Sequence, residues 1–192
     1  MRIAILASGN GSNFEAIVQA VERGEIQGEV TLLFSDKKEA NVLKRAAKYQ
    51  VPAYSFAPKQ FDSKEKYEAA LCELLVKQQI DLIVLAGYMR IIGSQLLQAF
   101  PQQIINIHPS LLPSFPGLHG IKDAFEYGVK VTGITIHFID DGIDTGPIIA
   151  QKTIDLDPDE TLQTLEEKIH QLEHQWYPKV IANIVRRRSN QI

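Results

Sequence analysis

Residues 81–87, DLIVLAG, decide the class of fold. In LIVL, at 82–85, neighbouring positions are all apolar, so both faces of the segment are apolar. A strand of this kind is typical of the centre of a parallel sheet, where helices cover both faces. Gly87 ends the run, and a glycine there lets the chain turn away from the sheet. The segment therefore predicts a layered α/β domain.

Outward from this strand, short apolar segments alternate with longer ones in which apolar residues recur every three or four positions. The short segments predict strands and the longer segments predict amphipathic helices. Such alternation is typical of a Rossmann-like, open and mostly parallel sheet flanked by helices. The predicted strands are residues 2–8, 29–35, 53–56, 81–87 and 103–109, and the predicted helices are residues 13–24, 39–50, 63–79 and 93–100.

The pattern changes beyond about residue 108. Residues 129–139 and 146–155 read as two strands with little chain between them, which predicts an antiparallel C-terminal pair. Residues 157–188 predict a long C-terminal helix.

The start and the course of this last helix can be predicted from single residues. Asp157 fits the N-cap, and Glu160 completes a capping box with it. Pro178 predicts a kink or a break inside the helix. His170 and His174 stand four residues apart, which fits either a ligand pair or a polar face.

Length, charge and cysteine count exclude several classes of protein. A chain of 192 residues fits one domain, residues 1–192. A net charge of −3 gives no general attraction to nucleic acid or to anionic membranes. The single cysteine, Cys72, allows no internal disulfide, and no segment approaches the ~20 apolar residues that span a bilayer. We therefore expect a cytoplasmic protein whose partners include neither nucleic acid nor membrane.

The segment SGNGSN, residues 8–13, follows a strand and opens a helix. Glycines permit a tight turn, and amides at a helix N-terminus can receive a phosphate. The dinucleotide fingerprint is incomplete because Phe14 occupies the third glycine position. A terminal phosphate monoester fits better, with Ser12 and Asn13 as added donors, and a plain turn is the alternative. Asp36, which ends the second strand, fits either a ribose-binding acid or a surface turn.

Asn106 and His108 interrupt the apolar fifth strand at its carboxyl end. Residues two apart on a strand share a face, so both side chains should point over the cleft beyond the sheet. An amide donor beside an imidazole that can carry a positive charge suits the stabilisation of an oxyanion. A polar pair with its hydrogen bonds satisfied at a strand end is the alternative.

Three aspartates, Asp140, Asp141 and Asp144, follow the first strand of the antiparallel pair. A carboxylate near His108 would orient the imidazole and favour its protonated form. A divalent metal is the other use of such a cluster, but the spacing differs from an EF-hand loop and no His or Cys joins it. We expect no metal site.

The central strand leads into AGYMRII, residues 86–92. Met89, Ile91 and Ile92 can form an apolar wall, and Arg90 is available for an anion. Ordinary core packing explains most of this pattern equally well.

Four motifs together resemble the glycinamide ribonucleotide formyltransferases, which are folate-dependent enzymes of purine biosynthesis. The motifs are SGNGSN, AGYMRI, NIHPSLLPSFPGLHG and DxGIDTGPI, and the resemblance spans essentially the whole chain. HPSLLP is shared with methionyl-tRNA formyltransferases and formyltetrahydrofolate deformylases, whereas SGNGSN and the chain length favour the first family.

This resemblance implies a reaction between two small molecules. The formyl group of the co-substrate 10-formyltetrahydrofolate would pass to the primary amine of glycinamide ribonucleotide, without a metal. Asn106 would hold the formyl oxygen, and His108 as imidazolium would stabilise the oxyanion. Asp144 would orient His108 and assist proton transfer. The chain would act as a monomer or a homodimer.

The resemblance also implies where the two substrates lie. Residues 1–108 would form a nucleotide-binding half, and residues 109–192 would form a folate-binding and C-terminal half. The implied nucleotide-binding residues are Gly11, Ser12 and Asn13 for the phosphate and Glu173 for the glycinamide end. The implied folate-binding residues are Lys64, Met89, Arg90, Ile91, Ile92, Asn106, Asp140, Asp141, Ile143 and Asp144.

Two alternatives to this function remain open from the sequence. One is another formyl-transfer or deformylase activity of the same superfamily. The other is a nucleotide-binding Rossmann module without catalysis.

Overall fold

The strands form close to the positions that the sequence predicts. A computed structural model describes residues 1–189 of the chain. The strands of its sheet are β1 (Arg2–Leu6), β2 (Glu29–Ser35), β3 (Ala53–Ser55), β4 (Leu82–Leu85), β5 (Ile104–His108), β6 (Val131–Phe138) and β7 (Ile148–Asp155).

The seven strands lie in the order β3-β2-β1-β4-β5-β6-β7. Strands β1 to β5 pair in parallel, whereas β6 is antiparallel to β5 and β7 is antiparallel to β6. The chain moves outward from β1 to β3 and then crosses back to β4, so the strand order reverses between β1 and β4. Such a switch point opens a crevice outside the carboxyl ends of the strands. The predicted Rossmann-like sheet with an antiparallel terminal pair is confirmed.

Both faces of the sheet are covered, as DLIVLAG predicts. Leu82 and Val84 of β4 pack into one apolar layer, and Ile83 and Leu85 pack into the other. All four side chains are at most 3% exposed.

The helices include one that the sequence pattern did not indicate. Residues 120–127 carry one short apolar stripe that packs against the core, formed by Ile121, Ala124 and Phe125, but three residues are too few to indicate a helix in the sequence. Among residues 1–189 no helix is both long enough and apolar enough to cross a membrane. The helices are α1 (Ser12–Glu22), α2 (Asn41–Lys48), α3 (Lys64–Lys77), α4 (Ser94–Ala99), α5 (Gly120–Tyr127) and α6 (Leu162–Ser189), with a short 3-10 turn at Pro58–Gln60.

The C-terminal helix begins later than predicted. It starts at Leu162, and Thr161 supplies the capping oxygen, which accepts the N–H of Thr164 at 3.1 Å. Asp157 and Glu160 do interact, with Oε2 of Glu160 accepting the N–H of Asp157 at 3.4 Å. That contact closes a separate turn before the helix, so the prediction of Asp157 as N-cap is wrong.

Helix α6 also runs through Pro178 without a break. Proline removes one backbone hydrogen bond from a helix. The neighbouring side chains of Tyr177 and Ile181 are fully buried, and Tyr177 Oη donates to the carbonyl oxygen of Leu85 at 2.9 Å. This packing against the sheet holds the helix across the missing bond.

Candidate active site

Strand β5 carries Asn106 and His108 into the crevice on one face, as the strand period predicts. Ile105 and Ile107 between them pack into the apolar layer on the opposite face. His108 is 3% exposed, and Asn106 is half-buried. The polar pair therefore lies at the end of a rigid central strand.

Asp144 reaches the same place from the loop after β6. Its backbone has φ 55°, in the left-handed region that aspartate tolerates better than most residues. Its Oδ2 lies 3.3 Å from Nδ1 of His108 and accepts the N–H of Gly117 at 2.8 Å. The three side chains predicted to be catalytic are thus brought together.

Asp144 remains a carboxylate at neutral pH. Burial raises its pKa, but contact with His137, the Gly117 N–H and the charge of His108 lower it and prevail. The net result is a pKa below the ordinary value of 3.8. A fixed negative charge therefore faces the His108 ring.

Both ring nitrogens of His108 face hydrogen-bond acceptors. Nδ1 faces Asp144, and Nε2 lies 2.8 Å from the carbonyl oxygen of Phe115. A doubly protonated imidazole satisfies both neighbours at once. The segment that carries Phe115 covers His108, so a substrate oxygen can reach Nε2 only after the Phe115 carbonyl moves aside.

His137 is a fourth polar member of the site, and the sequence reasoning missed it. Strand pairing sets it opposite Asn106, with Thr135 opposite His108. His137 is fully buried, and its Nε2 lies 3.3 Å from Nδ2 of Asn106 and 3.6 Å from Oδ1 of Asp144. A sequence pattern could have pointed to His137. Thr135 and His137 are polar residues two apart on a strand, like Asn106 and His108, and so share one face of the strand.

The loop before α1 has the geometry expected of a phosphate site. Gly11 is the N-cap with φ 80°, and a Cβ at this position would lie 2.4 Å from Cγ2 of Val42. Only glycine fits both the backbone angle and the space. The helix begins directly at Ser12, and the amides of its first turn have no partner within the helix.

Asn13 and Glu173 meet although 160 residues separate them in sequence. Asn13 Nδ2 donates to Oε2 of Glu173 at 3.0 Å. Asn13 Oδ1 is buried and has no hydrogen-bond partner among the described residues. The structure therefore brings together two predicted nucleotide-binding residues, one from each end of the chain.

Glu173 is an unusually weak acid for a glutamate. Burial raises its pKa to about 7, and the hydrogen bond from Asn13 lowers it only in part. The folded protein therefore holds this proton up to about pH 7, whereas the unfolded chain releases it above about pH 4.5. The free energy of unfolding falls as the pH rises through that window.

Glu173→Gln should remove this pH dependence. Glutamine keeps an oxygen that accepts from Asn13 and carries no buried charge, so the variant should be about 2–3 kcal/mol more stable than wild type at about pH 8. Near pH 4.5 the difference should vanish. Urea unfolding at both pH values measures it, with Glu166→Gln as an exposed control on the same helix. An equal difference in the free energy of unfolding at both pH values would contradict the raised pKa of Glu173.

Five of the predicted folate-binding residues line one pocket of about 510 Å³. Met89 and Ile91 are 58% and 62% exposed, unusual for large apolar side chains, while Ile92 is buried in the core. The five residues are Lys64, Met89, Arg90, Ile91 and Ile92.

The other predicted folate-binding residues lie elsewhere. Asn106 and the loop of residues 140–144 do not line this pocket. Asp140 is occupied within its loop, where Oδ1 accepts from Thr145 Oγ1 at 2.7 Å and from the Gly142 N–H at 3.1 Å. Asp141 and Ile143 are exposed.

The structure corrects the expectation for Asp36 and adds a contact to the expectation for Arg90. Asp36 is 2% exposed, so its interpretation as a surface turn is wrong. Arg90 is not wholly free for an anion, because its Nε donates to Oδ2 of Asp36 at 2.8 Å.

The histidines of α6 form no metal site that the structure supports. His170 is exposed, and His174 is half-buried with no hydrogen-bond partner for Nε2 in the described chain. Burial, and then the charges of His170 and Arg45, lower the pKa of His174. Within residues 1–189, no group of three or more His, Cys, Asp or Glu side chains is placed to hold a metal ion.

Known proteins resemble this chain over nearly its full length. The family model described as "Formyl transferase" matches residues 1–181. Phosphoribosylglycinamide formyltransferase of Bacillus subtilis is 51% identical over 184 residues, 96% of this chain and 94% of that protein. The Escherichia coli protein of the same name is 36% identical over 182 residues, 95% of this chain and 86% of that one.

Solved structures share the fold as well. The crystal structure of glycinamide ribonucleotide transformylase 1 from Geobacillus kaustophilus matches with a TM-score of 0.94 at 49% identity. The match covers 96% of this chain and 98% of that chain.

Proposed function

The chain belongs to the formyl transferase family, and from this membership we propose that it transfers the formyl group of 10-formyltetrahydrofolate to the primary amine of glycinamide ribonucleotide. The products are formylglycinamide ribonucleotide and tetrahydrofolate, and the reaction is a step of de novo purine biosynthesis. The observation that carries the proposal is the meeting of Asn106, His108 and Asp144 in the crevice at the carboxyl end of the sheet.

The reaction begins when the amine nitrogen attacks the formyl carbon. The carbonyl electron pair moves onto oxygen, and a tetrahedral oxyanion forms. An amide N–H of Asn106 and a ring N–H of His108 donate to that oxygen. Once the Phe115 carbonyl has moved aside from Nε2 of His108, each such donor lowers the barrier by about 3–4 kcal/mol.

The intermediate collapses by breaking the bond between the formyl carbon and N10 of the folate. The attacking nitrogen must lose a proton, and the departing N10 must gain one. His108 and Asp144 lie within reach of each other at 3.3 Å and provide the route for this transfer. Asp144 keeps the imidazole oriented throughout. This charge stabilisation requires no metal ion.

The nucleotide and the folate occupy opposite sides of the reacting group. The phosphate sits on the α1 amides at Gly11, Ser12 and Asn13, and Glu173 meets the glycinamide end. A protonated Glu173 beside Asn13 avoids a negative charge next to the phosphate. The pterin lies along the exposed apolar residues of the 89–92 segment and the loop of residues 140–144.

The site residues all come from one chain, so a monomer contains a whole site and a homodimer contains two. Cys72 is the single cysteine, which suits a reducing cytoplasm.

The direct test mixes the protein with both substrates and follows the folate absorbance and the mass of the nucleotide. Formylated nucleotide should appear only when both substrates are present. Loss of formyl from the folate at the same rate without the amine would instead indicate a deformylase. Binding of nucleotide without turnover would indicate a module without catalysis.

A further inference from the structure

We propose that Asp36 is a positioning residue for the folate co-substrate, which acts through Arg90 and Ser8 on the segment of residues 88–90. The inference rests on the proposed function, because it concerns how that site holds its folate. Asp36 itself does not line the pocket of Lys64 and Met89.

The two carboxylate oxygens of Asp36 are both occupied. Oδ1 accepts the hydroxyl of Ser8 at 2.6 Å, and Oδ2 accepts Nε of Arg90 at 2.8 Å. The same Ser8 hydroxyl oxygen accepts the backbone N–H of Met89 at 2.9 Å. Asp36 therefore ties the ends of β1 and β2 to two consecutive residues of the segment after β4.

The buried charge of Asp36 fixes the position of the Arg90 side chain. The Asp36 side chain is 0% exposed, and an ionised carboxylate is costly to bury without a charged partner. Among the described residues, Arg90 is the cation that contacts it, while Lys37 and Lys38 next to it in sequence are exposed. The Arg90 guanidinium is thus held at Nε rather than free to rotate.

Anchoring at Nε leaves the outer edge of the Arg90 guanidinium for a ligand. The side chain is 48% exposed, and Nη1 and Nη2 carry the remaining donors. A guanidinium edge fits a carboxylate in bidentate fashion, and folate ends in a glutamate that carries carboxylates. Arg90 and Lys64 line the same pocket, so both cations are available to that end of the co-substrate.

The backbone contact concerns the apolar part of the pocket. Met89 is 58% exposed beside Ile91, and its N–H is fixed by Ser8. Asp36 in turn fixes Ser8. Loss of the negative charge should therefore loosen the charged contact at Arg90, and loss of the acceptor for Ser8 should loosen the apolar contact at Met89, while the nucleotide loop at Gly11 is untouched.

Asp36→Asn tests the proposal, because asparagine keeps the shape and an acceptor for Ser8 but loses the charge that holds Arg90. We expect the KM for 10-formyltetrahydrofolate to rise about tenfold, and kcat and the KM for glycinamide ribonucleotide to stay within about twofold. Asp159→Asn, an exposed aspartate, is the control. A fall in melting temperature with both KM values unchanged would show a merely structural role and overturn the proposal, as would a lower folate KM.

A double variant tests the route through Arg90. If Asp36 acts through Arg90, Asp36→Asn combined with Arg90→Gln should have the folate KM of Arg90→Gln alone, to within about twofold. Fully additive effects would overturn that route. Wild-type protein that neither binds the folate nor transfers formyl would sink the proposed function itself. Active wild type with an unchanged folate KM in Asp36→Asn would sink the role of Asp36 alone.

Discussion

His108→Ala is expected to lower kcat by about 10²–10³-fold. The imidazole is the proposed donor to the oxyanion at the end of β5, and it is 3% exposed. Its loss removes stabilisation that exists only in the transition state. The affinity for glycinamide ribonucleotide should change little, since the α1 loop that would hold the phosphate is a separate element.

This prediction is measured with both substrates at saturation and with nucleotide binding followed by calorimetry. Added imidazole should restore part of the rate if the cavity left by the side chain admits it. A variant that keeps near-wild-type kcat would contradict the role given to His108. A variant that loses nucleotide binding as well would indicate a general loss of structure.

Asp144→Asn is expected to lower kcat by about 10²-fold, because the neutral amide no longer supplies the charge that faces the imidazole. Asparagine preserves the size of the side chain, tolerates the φ of 55°, and still offers an oxygen to the Gly117 N–H. The loss should therefore be electrostatic rather than structural.

The pH dependence tests that this charge is present in wild type. Asp144 has a lowered pKa, so wild type carries this charge throughout the neutral range. Asparagine carries no charge at any pH, so the rate loss of Asp144→Asn should be the same at about pH 6 and at about pH 8.5. Asp159→Asn serves as control. A loss that disappeared towards pH 6 would contradict the lowered pKa of Asp144.

The position of Asn106 and His108 could be predicted from the sequence because the side-chain period of a strand is fixed at two. The central position of strand β4 could also be predicted, because LIVL is apolar on both faces and therefore needs helices on both sides of the sheet. Both predictions depend on local geometry alone.

The partners of His137 and Asp36 could not be found in the same way. The place of His137 opposite Asn106 depends on the register between β5 and β6, and 31 residues separate the two. Asp36 and Arg90 are 54 residues apart and meet only because the strand order sets their two loops side by side. Contacts of this kind follow from tertiary packing, which no local pattern encodes.

The start of helix α6 was predicted wrongly for a different physical reason. Asp157 and Glu160 have the sequence of a capping box and do form its hydrogen bond, yet Thr161 caps α6. Lys168 binds both acidic residues and stabilises the separate turn. The capping-box contact thus forms one turn before the helix rather than at its first residue.

The central claim is that Asn106, His108 and Asp144 act as one unit on the formyl oxygen. It is tested most directly by kcat of the variant that carries Asn106→Ala, His108→Ala and Asp144→Ala together, saturated with both substrates. If the three act as a unit, the triple variant should be no more than about tenfold slower than the slowest single variant, and each single should already be at least about 10²-fold below wild type. Near-wild-type turnover in the triple variant would contradict the claim.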